Sequence, residues 1–439
     1  MRNLILWTFF IPTVPWMAFG QRSRWDDAIN AAERAIGQQQ YQEAEAQFAQ
    51  AEKDAETFGP LDHRLGMTLN NLAELYVREA RYAEAESLFK RALGIWEKGD
   101  DSTVSDKATA LNNLAALYQY QSRYGEAELL YRQCLALLEK IRGPEHPDVG
   151  NTLNNLGALY SEQGRIAEAE PLYRRALSIK EKALGPDDPA LATSLNNLAA
   201  LYVRQGKCGE GESLLKRALA IRQAAFGPEH PEVGNSLNNL AVLYGQQGRY
   251  SEAELMYLRS LSITEKSFGP NHPEVASGLN NLAELYRSEK RYAEAEPLYK
   301  RALAMRETVL GPNHPEVAQS LDRLAGVLAL KSKQFNVDLL YQRALAIRKK
   351  VYGPGSPAVV ASLNNLGVAY AEEDKFREAE RTFSDVLTIL AKQPKPNSLT
   401  LAMVYTNMSN LYRCEGKQKK AREMAQKAKA IRDLEESPT

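Results

Sequence analysis

The sequence predicts an all-α solenoid of about ten helix pairs. Three observations carry that prediction. A four-residue block recurs every 42 residues along the chain. Each interval contains two stretches whose apolar residues follow helical spacing. Most second stretches stop at a Gly-Pro pair, where Gly accepts the left-handed cap and Pro cannot continue the helix.

The chain starts with a segment that stands apart from this repeat. Met1-Arg2-Asn3 is a short positive start, and Leu4 to Met17 is an apolar run broken by Pro12 and Pro15. Ala18-Phe19-Gly20 places small residues before a cut ahead of Gln21. That layout predicts a secretory signal peptide over residues 1–20 and a secreted or periplasmic destination. The alternative is a misassigned start codon and a cytoplasmic protein. A membrane anchor needs about 20 apolar residues, so no stable membrane insertion is expected after cleavage.

Residues 21–439 read as one continuous array whose first and last units are atypical. The anchor Leu153-Asn154-Asn155-Leu156 recurs with the same four residues at 69, 111, 195, 237, 279 and 363. Degenerate copies are Leu321-Asp322-Arg323-Leu324 and Tyr405-Thr406-Asn407-Met408. In the unit anchored at Leu153, Leu153, Leu156, Gly157 and Tyr160 form one helical face. Gly164-Arg165 breaks that helix. Ala169, Leu172, Tyr173, Ala176 and Leu177 build the second, which ends at Gly185-Pro186. Such a pair cannot bury its stripe alone, so stacking of neighbours must make the core.

The identity of the repeat rests on particular residues. Small residues recur in the second helix at Ala85, Ala127, Ala169, Gly211, Ala253, Ala295, Ala379 and Ala421. An aromatic follows four positions later at Phe89, Tyr131, Tyr173, Tyr257, Tyr299 and Phe383. Tyr76, Tyr118, Tyr160, Tyr202, Tyr244, Tyr286, Tyr370 and Tyr412 end the first helices. This pattern resembles the tetratricopeptide repeat. The longer unit and the segment Gly227-Pro228-Glu229-His230-Pro231 are similar to the kinesin light chain subfamily. The resemblance implies a right-handed α-solenoid of about ten TPR-type helix pairs and a non-catalytic scaffold that binds a protein or extended peptide in its groove. Alternatives are a regulatory or sensory protein that takes a small peptide signal, and a kinesin light chain-type cargo adaptor. Residues 21–60 lack the sustained heptads that an adaptor of that type carries, and a secretion signal conflicts with a cytosolic motor subunit.

Composition narrows the chemistry. Lys+Arg and Asp+Glu are 55 each, so the broad basic field of a nucleic-acid binder is missing and no nucleic-acid partner is expected. Three Cys and five His leave little for a disulfide scaffold or a metal module. His146, His230, His272 and His314 sit in Gly-Pro-x-His-Pro, where other units have Asp62, Asp188, Ser356 and Ser398. Those residue types share the ability to accept a hydrogen bond at a helix start, so the reading is capping rather than zinc. Cys134 and Cys208 fall in apolar slots and Cys414 on a polar side. Gly206 to Gly211 lacks the strand and the Gly-Lys-Ser/Thr ending of a phosphate loop. Glu168 and Glu170 read as surface or first-turn acids, and pairs such as Lys90-Arg91 and Arg174-Arg175 as a solvated face. No catalytic residue, metal site or cofactor is expected.

The asparagine pairs are the candidate site. Asn is a poor mid-helix residue, yet most units carry two. The amides can bond between units, or pair with the backbone of an extended peptide. By resemblance, the groove positions are Asn71, Asn113, Asn155, Asn197, Asn239, Asn281 and Asn365. The unit around residues 320–340 breaks the pattern: Asp322-Arg323 replaces the Asn pair, Leu328 the Tyr and Val337 the small residue, and Gln334 takes an aromatic's place.

Overall fold

A computed structural model of the chain describes residues 23–38, 40–98, 104–332, 337–392 and 398–436, without the side chains of 434–436. The expected signal peptide and Gln334 lie outside the described residues. The chain divides into two compact units, residues 1–271 and 272–439. In the first unit the helices are α1 (Arg24–Gly37), α2 (Tyr41–Glu56), α3 (His63–Arg78), α4 (Tyr82–Trp96), α5 (Val104–Tyr120), α6 (Tyr124–Arg142), α7 (Pro147–Glu162), α8 (Ile166–Leu184), α9 (Leu191–Arg204), α10 (Cys208–Phe226), α11 (Pro231–Gln246) and α12 (Tyr250–Phe268). The second holds α13 (Pro273–Ser288), α14 (Tyr292–Leu310), α15 (Pro315–Lys331), α16 (Asp338–Tyr352), α17 (Pro357–Glu372), α18 (Phe376–Ala391), α19 (Ser398–Cys414) and α20 (Gln418–Glu436). No strand occurs among the described residues. The all-α class and the consecutive helix pairs are as the sequence predicts.

Each pair is built by the same local physics. Pro at the first helical position has no N–H to lose there and a φ already suited to the helix. It opens α7, α11, α13, α15 and α17. The preceding His146, His230, His272 or His314 caps the helix, its Nδ1 accepting the backbone N–H two residues on at 3.2 Å. Between the two helices one residue must adopt positive φ. Gly164, Gly206 and Gly248 do so at +74° to +78°. Ala80, Ser122, Lys290 and Asp374 hold the same turn at +58° to +62°, a conformation that costs L-residues roughly 1–2 kcal/mol.

The core runs between the paired helices. Ala85, Ala127, Ala169 and Ala253 are fully buried in unit one, and Ala295 and Ala379 in unit two. These small residues let the helices approach. The aromatics four positions on, Phe89, Tyr131, Tyr173, Tyr299 and Phe383, then fill the interior. Burying each such ring contributes on the order of 2 kcal/mol.

Candidate functional site

The asparagine pairs lie in the middle of the first helices, where the 42-residue period stacks equivalent turns. Asn113, Asn155, Asn197 and Asn239 on α5, α7, α9 and α11 are at most 5% exposed. Asn71 on α3 is half-buried. In unit two, Asn281 on α13 is half-buried and Asn365 on α17 is exposed. The second amide of one pair reaches back to the first amide of the preceding pair. Asn155 Nδ2 donates to Asn112 Oδ1 at 2.8 Å, and Asn113 Nδ2 lies 3.4 Å from Asn70 Oδ1. In unit two Asn407, inside a degenerate block, donates to Asn364 Oδ1 at 2.8 Å. Asn407 therefore belongs to the row, and period alone could have found it.

The row is only partly satisfied by itself. Asn197 Oδ1 and Asn239 Nδ2 are buried without a hydrogen-bond partner. Buried polar atoms are rarely left so in folded proteins. One turn before them, Asn151, Thr193 and Asn235 are half-buried. After them come the half-buried Ala200 and Val242, then the exposed Arg204 and Gln246. Positions i, i+4, i+7 and i+11 share one helical face. The result is a strip whose centre is constant amide and whose margins vary.

Glu74 joins the row at its start. It takes the turn where later repeats have Ala116 and Ala158. Its Oε1 accepts from Asn70 Nδ2 at 3.0 Å and Asn113 Nδ2 at 2.6 Å. Burial dominates over these bonds and pushes its carboxyl up to about 7.

A second ladder, missed by the sequence reading, ties repeats at the turn between paired helices. Arg81, Arg123, Arg165 and Arg249 stack on Tyr76, Tyr118, Tyr160 and Tyr244 at 3.7–3.9 Å from the ring centre. Each of these arginines also donates to a glutamate of the preceding second helix. Arg123 reaches Glu86 at 2.7 Å, Arg165 reaches Glu128 at 2.7 Å, and Arg249 reaches Glu212 at 3.0 Å. Tyr118, Tyr160 and Tyr244 donate their hydroxyls to the same three acids. Glu168 pairs locally with Arg165, as a first-turn acid should. Glu170, in contrast, accepts from Gln205 of the next repeat at 2.8 Å, so it is an inter-repeat tie. The basic pairs also divide. Arg91, Arg175 and Arg217 bridge to Glu52, Glu139 and Glu181 of the preceding second helix. The shared 42-residue period of Arg, Tyr and Glu was the available signal.

The remaining candidates have structural settings. The caps described above occupy the four Gly-Pro-x-His-Pro histidines. No group of His, Cys, Asp or Glu able to hold a metal occurs among the described residues. Cys134 is buried, its thiol pushed up to about 12 by desolvation, while Cys208 is half-buried and Cys414 exposed. Gly206 forms the ordinary inter-helix turn at φ +78°, and Gly211 packs against Val203 and the Ala199 carbonyl. No described helix is long and apolar enough to cross a membrane.

Comparison with known proteins agrees with this architecture. No curated protein matches the chain. Among solved structures, BtubC (BKLC) from P. vanneervenii is 26% identical, with a TM-score of 0.42, over 53% of this chain and 91% of that one. A putative kinesin light chain from Podosopora anserina with nearly identical TPR-like repeats is 26% identical, with a TM-score of 0.39, over 47% of this chain and 98% of its own. A Rap protein complexed with competence and sporulation factor is 13% identical, with a TM-score of 0.52, over 84% of this chain and 98% of that one; this likeness concerns the fold. Tetratricopeptide repeat family models match residues 32–98, 106–182, 163–210, 190–266 and 340–392, and a further one residues 275–316. With more than half of its length so matched, the chain belongs to the tetratricopeptide repeat family.

Proposed function

We propose that the chain is a non-catalytic scaffold that binds a protein or an extended peptide along the first-helix strip of its repeats. One observation carries the reading: constant amides at Asn155, Asn197 and Asn239 are flanked by margins that change from repeat to repeat. A constant amide row suits a ligand backbone, which is the same in every peptide, while varied margins suit side-chain selection. Export from the cytoplasm is part of the proposal and rests on Met1 to Gly20.

The test uses the margins, because the amides also hold repeats together. Random-peptide phage display on the purified chain supplies a binding sequence. The variant Thr193→Lys with Asn235→Lys should weaken its binding at least about tenfold, with the melting temperature nearly unchanged. Full binding by that variant refutes the strip. A display that yields only one short signal-like peptide would favour the sensory reading.

A further inference from the structure

A slot near the C-terminal end of the second helices holds a buried cation in several repeats. In unit one, Arg222 on α10 is 4% exposed. It pairs with Glu232 at 2.6 Å and donates to Ser236 Oγ at 3.0 Å. In unit two, Arg306 on α14 repeats the arrangement with Glu316 at 3.2 Å and Ser320 Oγ at 2.9 Å. The slot is thus built for a cation, a carboxylate ten residues on, and a hydroxyl.

Lys180 fills this slot on α8, at 3% exposure, but the carboxylate has been lost. Where Glu232 and Glu316 stand in their repeats, this repeat has Ala190, which is exposed. The hydroxyl is engaged as well, since Ser194 Oγ accepts from Asn154 Nδ2 at 2.7 Å. Asp148 and Asp188 are the acids whose charge reaches Lys180, and neither forms an ion pair with it. Asp148 lies 3.4 Å from the His146 ring, and Asp188 accepts the Ala190 N–H at 2.8 Å. Among the described residues Lys180 makes no ion pair or hydrogen bond. Its stem packs against Gly150, where a Cβ would sit 3.4 Å from Lys180 Cγ. One turn further along α8, Leu184 is 40% exposed. Residues i and i+4 lie on one helix face, so Leu184 sits on the same face of α8 as Lys180.

We propose that the carboxylate position opened by Ala190 is a recognition site for an Asp or Glu side chain of a protein partner, delivered beside an apolar residue that packs on Leu184. Charge complementarity argues for the acid, because a buried cation without a bonded carboxylate is costly, Asp148 and Asp188 act on Lys180 only at a distance, and sister repeats supply that bond in cis. The adjoining Leu184 argues for an acid carried on a polypeptide rather than a free anion. The inference stands independently of the asparagine strip.

The test uses the full chain with lysine side chains labelled for nitrogen NMR, the Lys180 signal being assigned by its loss in Lys180→Leu. The probes are N-acetyl-Glu-Leu-amide, N-acetyl-Gln-Leu-amide and acetate. The glutamyl peptide should bind at least about tenfold more tightly than the glutaminyl one, as a charged hydrogen bond in a desolvated site requires. Acetate should bind more weakly than the glutamyl peptide. Lys180→Leu should fold, since Leu138 occupies the equivalent slot and is buried there, and should erase the glutamyl preference. Ala190→Glu should erase it too by filling the position in cis. Equal binding of the two peptides overturns the proposal. So does a preference that survives Lys180→Leu, or acetate binding as tight as the glutamyl peptide.

Discussion

Asn155 Nδ2 donates to Asn112 Oδ1 at 2.8 Å across two first helices, 43 residues apart in sequence. The bond joins the second amide of one repeat to the first of the preceding one, and it lies in a buried setting. Replacing Asn155 by Ala leaves the Asn112 acceptor without that donor. The expected loss is about 0.5–1.5 kcal/mol, or more if the acceptor stays dry. Urea denaturation with an unchanged m-value measures it. A variant as stable as the parent means that solvent replaces the bond at no net loss.

Glu74 gives stability a pH dependence of definite sign. Burial raises its carboxyl from 4.5 to about 7, so between those values the fold holds a proton that the unfolded chain releases. Stability from this group is full below pH 4.5 and declines as pH rises through 7. Glu74→Gln keeps an oxygen acceptor for Asn70 and Asn113 and removes the titration. The difference in melting temperature between variant and parent should therefore widen from pH 4.5 to 7, in favour of the variant.

Lys180 acts in the opposite window. Desolvation lowers its ammonium from 10.5 to about 8, against the fields of Asp148 and Asp188. Below pH 8 both states are protonated and the fold carries the cost of a buried charge. From pH 8 to 10.5 the folded amine is neutral while the unfolded one is charged, so this group's contribution improves as pH rises. Lys180→Leu should be the more stable protein at pH 7, with its margin shrinking by pH 10. A constant margin across that range would show that the amine titrates normally.

Asp322 and Arg348 tie α15 to α16 at 2.6 Å, where the usual asparagine pair is replaced by Asp322-Arg323. Burial pushes the Asp322 carboxyl up, and Arg348 opposes that shift. Removing the cation by Arg348→Ala strands a largely buried carboxylate. The cost should be on the order of 3 kcal/mol at neutral pH. It should fall when the medium is acidified enough to protonate Asp322. Hydrogen exchange over residues 320–332 is the local readout, and unchanged protection there contradicts the assignment.

Ala80 holds the inter-helix turn at φ +59°, a position given to Gly in several sister repeats. Ala80→Gly removes that strain but frees the unfolded chain. The balance should favour the variant by about 0.5–1 kcal/mol. Thermal denaturation checks it, and a destabilised variant would show that the Ala80 methyl packs usefully.

The fold was legible because 3.6-residue spacing and 42-residue spacing are both visible in side-chain type alone. Leu153, Leu156 and Tyr160 announce a buried face whatever they pack against. The partners of polar residues were less legible. The Asn155 amide binds one residue off the period, at 43, and helical angle alone does not fix that offset. Glu170 reads as a first-turn acid because its partner Gln205 comes from another repeat. The burial of Lys180 is not marked by its residue type, because amphipathic helices usually place lysine outside. Its burial depends on Gly150, a missing Cβ on a different helix.

The Arg-Tyr-Glu ladder bears on how such a chain changes length. Each arginine is supplied by one repeat and its glutamate by the one before, as with Arg123 and Glu86 or Arg165 and Glu128. Excision or duplication of a whole 42-residue module therefore rejoins a basic donor to an acidic acceptor, Arg to Glu in most of the repeats described and Lys375 to Asp338 in one. A cut of any other size leaves a charged group facing a stranger. Recombination between modules is thereby filtered by electrostatics: the array tolerates growth and shrinkage in quanta of one repeat, while point changes at the ladder face two repeats at once.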